Sequence, residues 1–270
     1  MYHSAGTVTD RCDLSIVVPT YNERERLGEL VTSVADVFSA HRIAGEIVVV
    51  DDNSPDGTGR IADELATRYP LQVVHREGKL GLGSAVIEGF GQARGAMLGV
   101  MDADLSHPPS VLPGMLAALR ALDVDVVVGS RYIPGGASKN WPLIRLAMSR
   151  FACVLAWPLT PVRDATSGLF LVKREAIEGV KISAAGFKIC LELLTRSRIA
   201  SIAEIPYVFA DRAAGQSKMT LREALGYFVQ LRDLYGVTLK GRKPRADYRR
   251  VSETELQELT RAAFPALHRL

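Results

Sequence analysis

The sequence lacks a long apolar run and a clustered set of cysteines. A membrane-spanning helix needs roughly 20 apolar residues, and the nearest candidate, residues 141–159, contains Arg145 and Arg150 in its interior. We therefore expect no spanning helix. The cysteines are far apart in sequence and form no CxxC pair, which argues against a disulfide scaffold or a cysteine-based zinc site and suits a reducing compartment. They are Cys12, Cys153 and Cys190.

The sequence also has little surplus of one charge. Thirty-three Lys and Arg against 30 Asp and Glu leave a formal net charge of +3, which is too small to indicate nucleic-acid binding. Residues 1–13 are polar and show no signal-peptide pattern, so we expect a flexible N-terminus. The composition, 47% hydrophobic and 23% charged, excludes disordered, collagen-like and coiled-coil chains.

Apolar runs alternate with helical patterns in the first half of the chain. Short runs rich in β-branched residues predict buried strands at 14–19, 46–51, 71–75, 97–101 and 124–129. Helical periodicity separates them at 25–40, 58–69, 84–93 and 109–122. This alternation predicts an α/β fold with a mostly parallel sheet and helices on both faces. In such sheets ligands bind beyond the carboxyl ends of the strands.

The regular alternation of predicted strands and helices ends after Ser130. The apolar and basic segment 141–159 is followed by a predicted strand, helix, strand and amphipathic helix at 169–173, 187–198, 202–208 and 221–238. The run 240–250 (KGRKPRADYRR) carries six cationic residues and one Asp. A last helical pattern covers 253–264.

Polar side chains gather where the predicted strands end. The segments are 19–23 (PTYNE), 51–58 (DDNSPDGT), 102–104 (DAD) and 129–132 (GSRY). Four neighbouring strand ends that bear carboxylates or an arginine indicate a ligand site rather than solvated loops. One such Asp can simply cap a helix, and Asp56 before Thr58 has this alternative.

Asp102 and Asp104 directly follow the fourth predicted strand. In extended backbone, residues two apart point to the same side, so the two carboxylates repel each other unless a cation lies between them. Mg²⁺ or Mn²⁺ takes oxygen ligands and leaves positions for water and phosphate. The alternative is a turn in which one Asp caps the helix that begins near Pro109. The neighbouring strand ends favour the metal.

The glycine-rich stretch 78–83 (GKLGLG) does not match a dinucleotide fingerprint. Val86 stands where that pattern needs Gly or Ala, and the stretch follows the third strand rather than the first. It predicts a tight turn into the next helix, with Lys79 free to meet a phosphate.

The ordered motifs resemble polyprenol-phosphate mannosyltransferases of glycosyltransferase family 2. They are PTYNE, VDDNSPDGT, GLG, MDADLSHPP, GSRYIPGG with NWP, DATSG, GFK and RAAGQSK, and they cover about residues 14–221. The resemblance implies a GT-A fold over 14–238, with a nucleotide-binding half (14–132) and an acceptor half (133–238), and a basic tail over 239–270. It implies inverting transfer of mannose from GDP-mannose to a polyprenyl phosphate, with Mg²⁺ or Mn²⁺, by a protein peripheral on the cytoplasmic face of a membrane.

The resemblance also implies a role for individual residues. The nucleoside pocket would contain Pro19, Tyr21, Glu23, Asp52, Asp56 and Lys79. The metal would be held by Asp102, Asp104 and Ser106, and the acceptor phosphate by Arg131, Arg145 and Ser149. The donor diphosphate would contact Lys188, Arg212 and Lys218, next to Asp164 and Ser167–Gly168. The catalytic groups would be Asp102, Asp104, Arg131 and Arg212.

The sequence departs from the family pattern in three ways. Ser106 stands where relatives often have a Gln metal ligand, Leu169 replaces an aromatic residue, and the C-terminal transmembrane helices of some relatives are missing. The chemistry is consistent with the assignment, because an ionised phosphate acceptor needs cations to position it rather than a general base. Charge on the departing diphosphate is stabilised by a divalent ion and by Lys or Arg.

Some alternatives stay open from the sequence. Segment 141–159 fits either a core helix with snorkelling arginines or an interfacial helix that receives the lipid tail. Segment 240–250 fits either a solvated tail or a membrane-binding patch. A UDP-glucose-dependent polyprenyl-phosphate glucosyltransferase and a polysaccharide transferase have the same donor chemistry. A non-catalytic nucleotide-sugar-binding protein is a third reading.

Overall fold

A computed structural model of the chain describes residues 12–180, 182, 188–210, 221–240 and 246–265. The strands in these residues are β1 (Leu14–Thr20), β2 (Gly45–Asp51), β3 (Leu71–His75), β4 (Met97–Val100), β5 (Val126–Ser130), β6 (Ala137–Lys139), β7 (Phe170–Lys173), β8 (Ser201–Pro206), β9 (Val208–Ala210) and β10 (Asp247–Arg250). The helices are α1 (Arg24–His41), α2 (Thr58–Ala66), α3 (Leu82–Gln92), α4 (Leu112–Ala121), α5 (Leu143–Ala156), α6 (Arg174–Ile177), α7 (Ile189–Arg196), α8 (Leu221–Lys240) and α9 (Glu253–Ala263).

The main sheet is mixed and mostly parallel, which confirms the predicted α/β class. Its eight strands lie in the order β10-β8-β5-β7-β4-β1-β2-β3, and β7 alone among these described strands runs antiparallel to its neighbours. The reversed strand pairs Phe170 with Val100 of β4 and Val128 of β5. The loop that precedes β7 therefore reaches the edge where β4 and β5 end.

Two apolar cores cover the two faces of this sheet. Alternate residues of β1 divide between them, because Ile16 belongs to one core and Val17 to the other. Helices α1, α2, α4 and α9 pack on the first face, and α3 and α7 pack on the second. A third cluster joins α5 to α8, where the hydroxyl of Tyr227 donates to the carbonyl of Ala152 at 2.6 Å.

The described part of the predicted basic tail belongs to this domain. Strand β10 pairs in parallel with β8, with Tyr248 opposite Ile202, and α9 packs against α4. The sequence did not predict β10, because three of its four residues are charged and no apolar run marks it. Strands from both predicted halves, 14–132 and 133–238, share the main sheet, and the division into halves stays a prediction. No helix among the described residues is long and apolar enough to cross a bilayer.

Helix α3 approaches the sheet closely through one glycine. A Cβ built on Gly89 would lie 2.5 Å from Val17 Cγ1, whereas a Cβ on Gly91 of the same helix would meet nothing within 4 Å. Overpacking costs about 1–3 kcal/mol, and alanine gains up to about 1 kcal/mol over glycine in a helix. We expect Gly89→Ala to lower the free energy of unfolding in urea and Gly91→Ala to raise it. Equal effects of the two substitutions would contradict this packing.

Candidate active site

The carboxyl ends of β1 and β2 are tied together by Asp51. Its Oδ1 accepts hydrogen bonds from the hydroxyls of Thr20 (3.0 Å) and Ser54 (2.5 Å), and its Oδ2 accepts from the backbone N–H of Ser54 (3.0 Å). Asp51 is buried, and a buried carboxylate needs such donors. Its role is to shape the strand ends on which the site is built.

Asp52 anchors the glycine-rich turn. Its carboxylate pairs with the guanidinium of Arg76 and accepts from the backbone N–H of Gly81 at 2.9 Å. Arg76 also contacts Ser84 Oγ (2.7 Å) and Glu88 (2.9 Å). Both Asp52 and Arg76 are buried, so this pair fixes the turn against β2. Sequence reasoning missed Arg76, although its position directly after the third predicted strand was a usable signal. A nucleoside contact of Asp52 stays a prediction.

Asp56 accepts hydrogen bonds at the start of a helix, which is the capping alternative that the sequence left open. It accepts from the backbone N–H (2.9 Å) and hydroxyl (2.6 Å) of Thr58 at the start of α2, and from the backbone N–H of Arg24 (3.2 Å) at the start of α1. Partial burial opposes ionisation, but these hydrogen bonds outweigh it and lower the pKa of Asp56.

The remaining nucleoside candidates lie beside these strand ends. Lys79 Nζ lies 3.9 Å from the centroid of the Tyr21 ring, which is a cation–π contact. The backbone N–H of Glu23 donates to the Thr58 hydroxyl at 3.0 Å, and the half-buried Pro19 pairs with Val50 in the sheet. The structure thus brings Pro19, Tyr21, Glu23 and Lys79 to one edge of the sheet, and their contact with a nucleoside stays a prediction.

The predicted metal ligands follow β4. Asp102 keeps about a third of its side chain exposed (33%), while Asp104 is buried and accepts from the backbone N–H of Ser106 at 3.0 Å. The Ser106 hydroxyl is buried and has no hydrogen-bond partner among the described residues. Two carboxylates and an unpartnered hydroxyl fit a hard divalent ion. No cluster of three or more His, Cys, Asp or Glu side chains suited to a metal occurs in the part of the chain that the structure describes.

His107 holds the backbone at this turn. Its Nδ1 accepts from the backbone N–H of Asp102 at 3.1 Å, which leaves the proton on Nε2, 3.9 Å from Asp102 Oδ2. Burial lowers the pKa of His107 despite the nearby carboxylates, so the ring is neutral near pH 7. A Cβ on Gly168 would lie 3.2 Å from Asp102 Oδ2. The glycine therefore lets the loop before β7 lie directly against Asp102.

Arg131 is held by a bidentate ion pair with Asp164. Its Nε and Nη2 donate to the two carboxylate oxygens at 2.7 and 2.6 Å, and its backbone N–H donates to Oδ2 at 3.0 Å. Both side chains are buried, with 7% and 0% exposed. Burial alone would lower the pKa of Arg131, but the Asp164 carboxylate raises it, so the guanidinium stays charged.

A second buried carboxylate positions Asp164. Glu204 of β8 accepts from the backbone N–H groups of Asp164 (2.9 Å) and Arg163 (3.0 Å), and from the hydroxyl of Tyr248 on β10. Glu204 is fully buried. The last strand thus connects to Arg131 through Glu204 and Asp164. Sequence reasoning missed Glu204 and Tyr248, since both lie in segments without a recognised motif.

The other two acceptor candidates lie on α5. Arg145 Cζ lies 4.1 Å and Arg131 Cζ 5.1 Å from the ring centroid of Trp141, so one indole contacts both guanidiniums. Ser149 is half-buried and lies close to the phenol of Tyr132. The structure therefore brings the three predicted acceptor residues to one wall.

Lys188 faces the same space from the start of α7. Burial lowers the pKa of Lys188 and the charge of Arg131 lowers it further, while Asp102 and Asp164 raise it. Its backbone N–H and carbonyl both bond the side-chain amide of Gln230, at 3.3 Å each. The other predicted donor contacts, Arg212 and Lys218, lie outside the described residues.

These features define a class of protein. The sheet is mostly parallel, and its carboxyl edge holds an Asp-x-Asp pair, a charged buried arginine and a lysine. This is the arrangement of GT-A glycosyltransferases, which need cations around a diphosphate and a site for a metal.

The family model for glycosyl transferase family 2 matches residues 15–180, and the chain belongs to this family of enzymes. It is 40% identical over 82% of its length to a dolichol-phosphate mannosyltransferase of Pyrococcus furiosus, of which it covers 62%. It is 36% identical to the Saccharomyces cerevisiae dolichol-phosphate mannosyltransferase (83% of this chain, 87% of that one). It is 42% identical to the polyprenol monophosphomannose synthase of Mycolicibacterium smegmatis (78% and 83%).

Solved structures confirm the fold. Mannosyl-3-phosphoglycerate synthase from Rubrobacter xylanophilus has a TM-score of 0.62 at 20% identity, covering 86% of this chain and 76% of that one. Glucosyl-3-phosphoglycerate synthase from Mycobacterium tuberculosis, solved with Mn²⁺, UDP and glucosyl-3-phosphoglycerate, has a TM-score of 0.59 at 19% identity, covering 89% and 86%.

The buried pair of Arg131 and Asp164 yields a stability prediction. Asp164→Ala leaves a buried guanidinium without its counter-charge, and we expect a loss of about 3–5 kcal/mol in the free energy of unfolding. Asp123→Ala is the control, because Asp123 is exposed and pairs with Lys173 at the surface. Urea unfolding measures both. A similar small loss in the two variants would show that Arg131 does not depend on Asp164.

Proposed function

We propose that this enzyme transfers mannose from GDP-mannose to the phosphate of a polyprenyl phosphate, with inversion at the anomeric carbon. The observation that carries the proposal is the placement of Arg131 and Arg145 around the indole of Trp141. Two guanidiniums suit an anionic acceptor. The names of the relatives, dolichol-phosphate mannosyltransferase and polyprenol monophosphomannose synthase, support mannose and a polyprenyl phosphate.

The donor would lie along the ends of β1, β2 and β4. Tyr21 and Lys79 offer an aromatic face and a cation for the nucleotide, and Lys188 offers a second cation for the diphosphate. Asp102, Asp104 and Ser106 would hold a divalent ion, Mg²⁺ or Mn²⁺, which would supply positive charge to stabilise the departing diphosphate. Solved members of the same fold class that contain Mn²⁺ or Mg²⁺ with UDP support such an ion.

The phosphate of the proposed acceptor does not need a general base to remove a proton from it. A phosphate monoester is ionised at neutral pH, so its oxygen is a nucleophile once it is held in line with the anomeric carbon. Arg145 and Arg131 orient that phosphate, and Asp164 keeps Arg131 in one orientation. Attack from the face opposite the leaving diphosphate inverts the anomeric centre.

The lipid part of the acceptor calls for an apolar surface next to these arginines. The exposed large apolar residues of α5 and its C-terminal end are Leu143, Ile144, Met148, Phe151, Val154 and Trp157. An exposed apolar helix face marks an interaction surface, and we place this face on the membrane. The three free cysteines suit the cytoplasmic side, where thiols stay reduced.

The metal proposal is tested by removing one carboxylate. We expect Asp104→Asn to lower turnover of GDP-mannose and polyprenyl phosphate by about 100-fold or more, because lost charge stabilisation amounts to several kcal/mol. Asp63→Asn, on the exposed surface of α2, is the matched control and should retain full turnover. Full activity in EDTA would refute the role of the ion.

The acceptor proposal is tested by a change that keeps the charge. We expect Arg145→Lys to raise the KM for polyprenyl phosphate about tenfold, because a lysine loses the bidentate contact, and to leave the affinity for GDP-mannose unchanged. Arg120→Lys, in a surface pair with Asp13, is the control. Parallel assays with UDP-glucose and with a water-soluble alcohol test the alternatives. Transfer to the alcohol, with no use of polyprenyl phosphate, would overturn the acceptor assignment.

A further inference from the structure

A second cationic cleft lies beside Tyr132, whose ring centroid is 5.1 Å from Arg131 Cζ. It has a volume of about 320 Å³ and its walls include Tyr132, Val154 and Trp157. Three arginines from separate segments line it: Arg150 of α5, Arg163 of the loop before β7, and Arg250 of β10. We call this space the arginine cleft. It contains none of the predicted acceptor residues.

Within the described ranges, the guanidiniums of the arginine cleft have no carboxylate partner. None of the three makes an ion pair with any described residue. Two of them lie against aromatic rings, with Arg150 Cζ 5.5 Å from the Tyr132 centroid and Arg163 Cζ 5.3 Å from the Trp157 centroid. Cation–π contacts limit side-chain motion without neutralising charge. Three positive charges therefore face one cleft.

The buried carboxylate of Glu204 makes no ion pair with these arginines among the described residues. Glu204 is fully buried and accepts from two backbone N–H groups and the Tyr248 hydroxyl. The neighbour Arg249 behaves differently from Arg250. Successive residues of a strand point to opposite faces, and Arg249 pairs with Glu255 of α9. The unpaired charge is thus specific to the cleft side of β10.

The apolar wall of the cleft continues along α5. Leu143, Arg150, Val154 and Trp157 follow one another at helical spacing of seven, four and three residues, and all four are exposed. A ligand whose phosphate enters the cleft would therefore meet apolar surface next to it. A free phosphate has no apolar part to bury on such a surface, whereas a lipid has.

We propose that the arginine cleft binds the phosphate of an anionic membrane phospholipid, separately from the acceptor phosphate at Arg131 and Arg145. The guanidinium fork matches the geometry of phosphate oxygens. Bound there, the lipid would fix the rotation of α5 on the bilayer. The proposal rests on the proposed function in one respect, that the exposed face of α5 lies on the membrane.

The test compares binding of the full chain to two kinds of vesicle, phosphatidylcholine alone and phosphatidylcholine mixed with phosphatidylglycerol. We expect the double variant Arg163→Gln/Arg250→Gln to bind the mixed vesicles on the order of tenfold more weakly than the wild type, with little change on neutral vesicles. Arg249→Gln is the matched control and should bind almost as the wild type does. The proposal would be overturned if Arg249→Gln weakened binding to the mixed vesicles as much, per charge removed, as the double variant does. It would also be overturned if the double variant bound those vesicles as tightly as the wild type. Thermal unfolding confirms that each variant is folded.

Two further measurements identify the source of the phosphate. In titrations with inorganic phosphate and no vesicles, we expect the wild type and the double variant to behave alike. If the wild type binds phosphate, the double variant does not, and neither prefers anionic vesicles, the cleft binds a free anion instead of a lipid. The KM for polyprenyl phosphate in detergent should be the same in the double variant and the wild type. A raised KM would place the acceptor in the cleft and refute a separate lipid site.

The outcome is distinguishable from failure of the proposed function. A protein that transfers mannose in detergent but shows no cleft-dependent binding to anionic vesicles contradicts the arginine cleft alone. Cleft-dependent binding to these vesicles without mannose transfer contradicts the proposed function alone.

Discussion

The buried ion pair of Arg131 and Asp164 is the interaction on which the rest of the site depends. A guanidinium removed from water is stable only when a carboxylate satisfies its donors, so the end of β5 and the loop before β7 must meet in one geometry. Glu204 fixes the backbone of Asp164 from β8, and Tyr248 fixes Glu204 from β10. Arg131 is consequently oriented by segments that come from distant parts of the chain.

The charges of the site fall into two groups, one acidic and one basic, as the proposed transfer between two anionic reactants requires. The carboxylates Asp102 and Asp104 lie beyond β4, on the proposed donor side, where an ion would bring a diphosphate and carboxylates together. Arg131 and Arg145 lie around Trp141, on the acceptor side. The loop before β7 connects the two groups, because it carries Asp164 and because Gly168 brings it against Asp102. The ring of Phe209 connects them as well, since it lies next to His107, Arg131 and Trp141. The loop before β7 thus adjoins both Asp102 and Arg131.

Much of this architecture could be predicted from the sequence, since buried strands and strand ends leave local signals. The runs before Thr20, Asp52 and Asp102 identify three parallel strands and the side chains at their ends. The reversed direction of β7 could not be predicted, because an apolar run carries no sign of its orientation. Tyr248 lies in a charged segment whose pairing with β8 is a tertiary effect. The place of Arg76 after the third predicted strand was a usable signal, but its pairing with Asp52 depends on the conformation of a glycine-rich turn that spacing alone does not define.

The parallel pairing of β10 with β8 has a consequence for synthesis of the enzyme. Glu204 receives its phenol partner from a residue 44 positions later in the chain, so the nascent protein holds a carboxylate without its full set of donors until Tyr248 has left the ribosome. Domains begin to fold during translation from the N-terminal side. The edge made by β1, β2 and β3 can form before Tyr248 is synthesised, but the support of Arg131 through Glu204 and Asp164 is complete only after it.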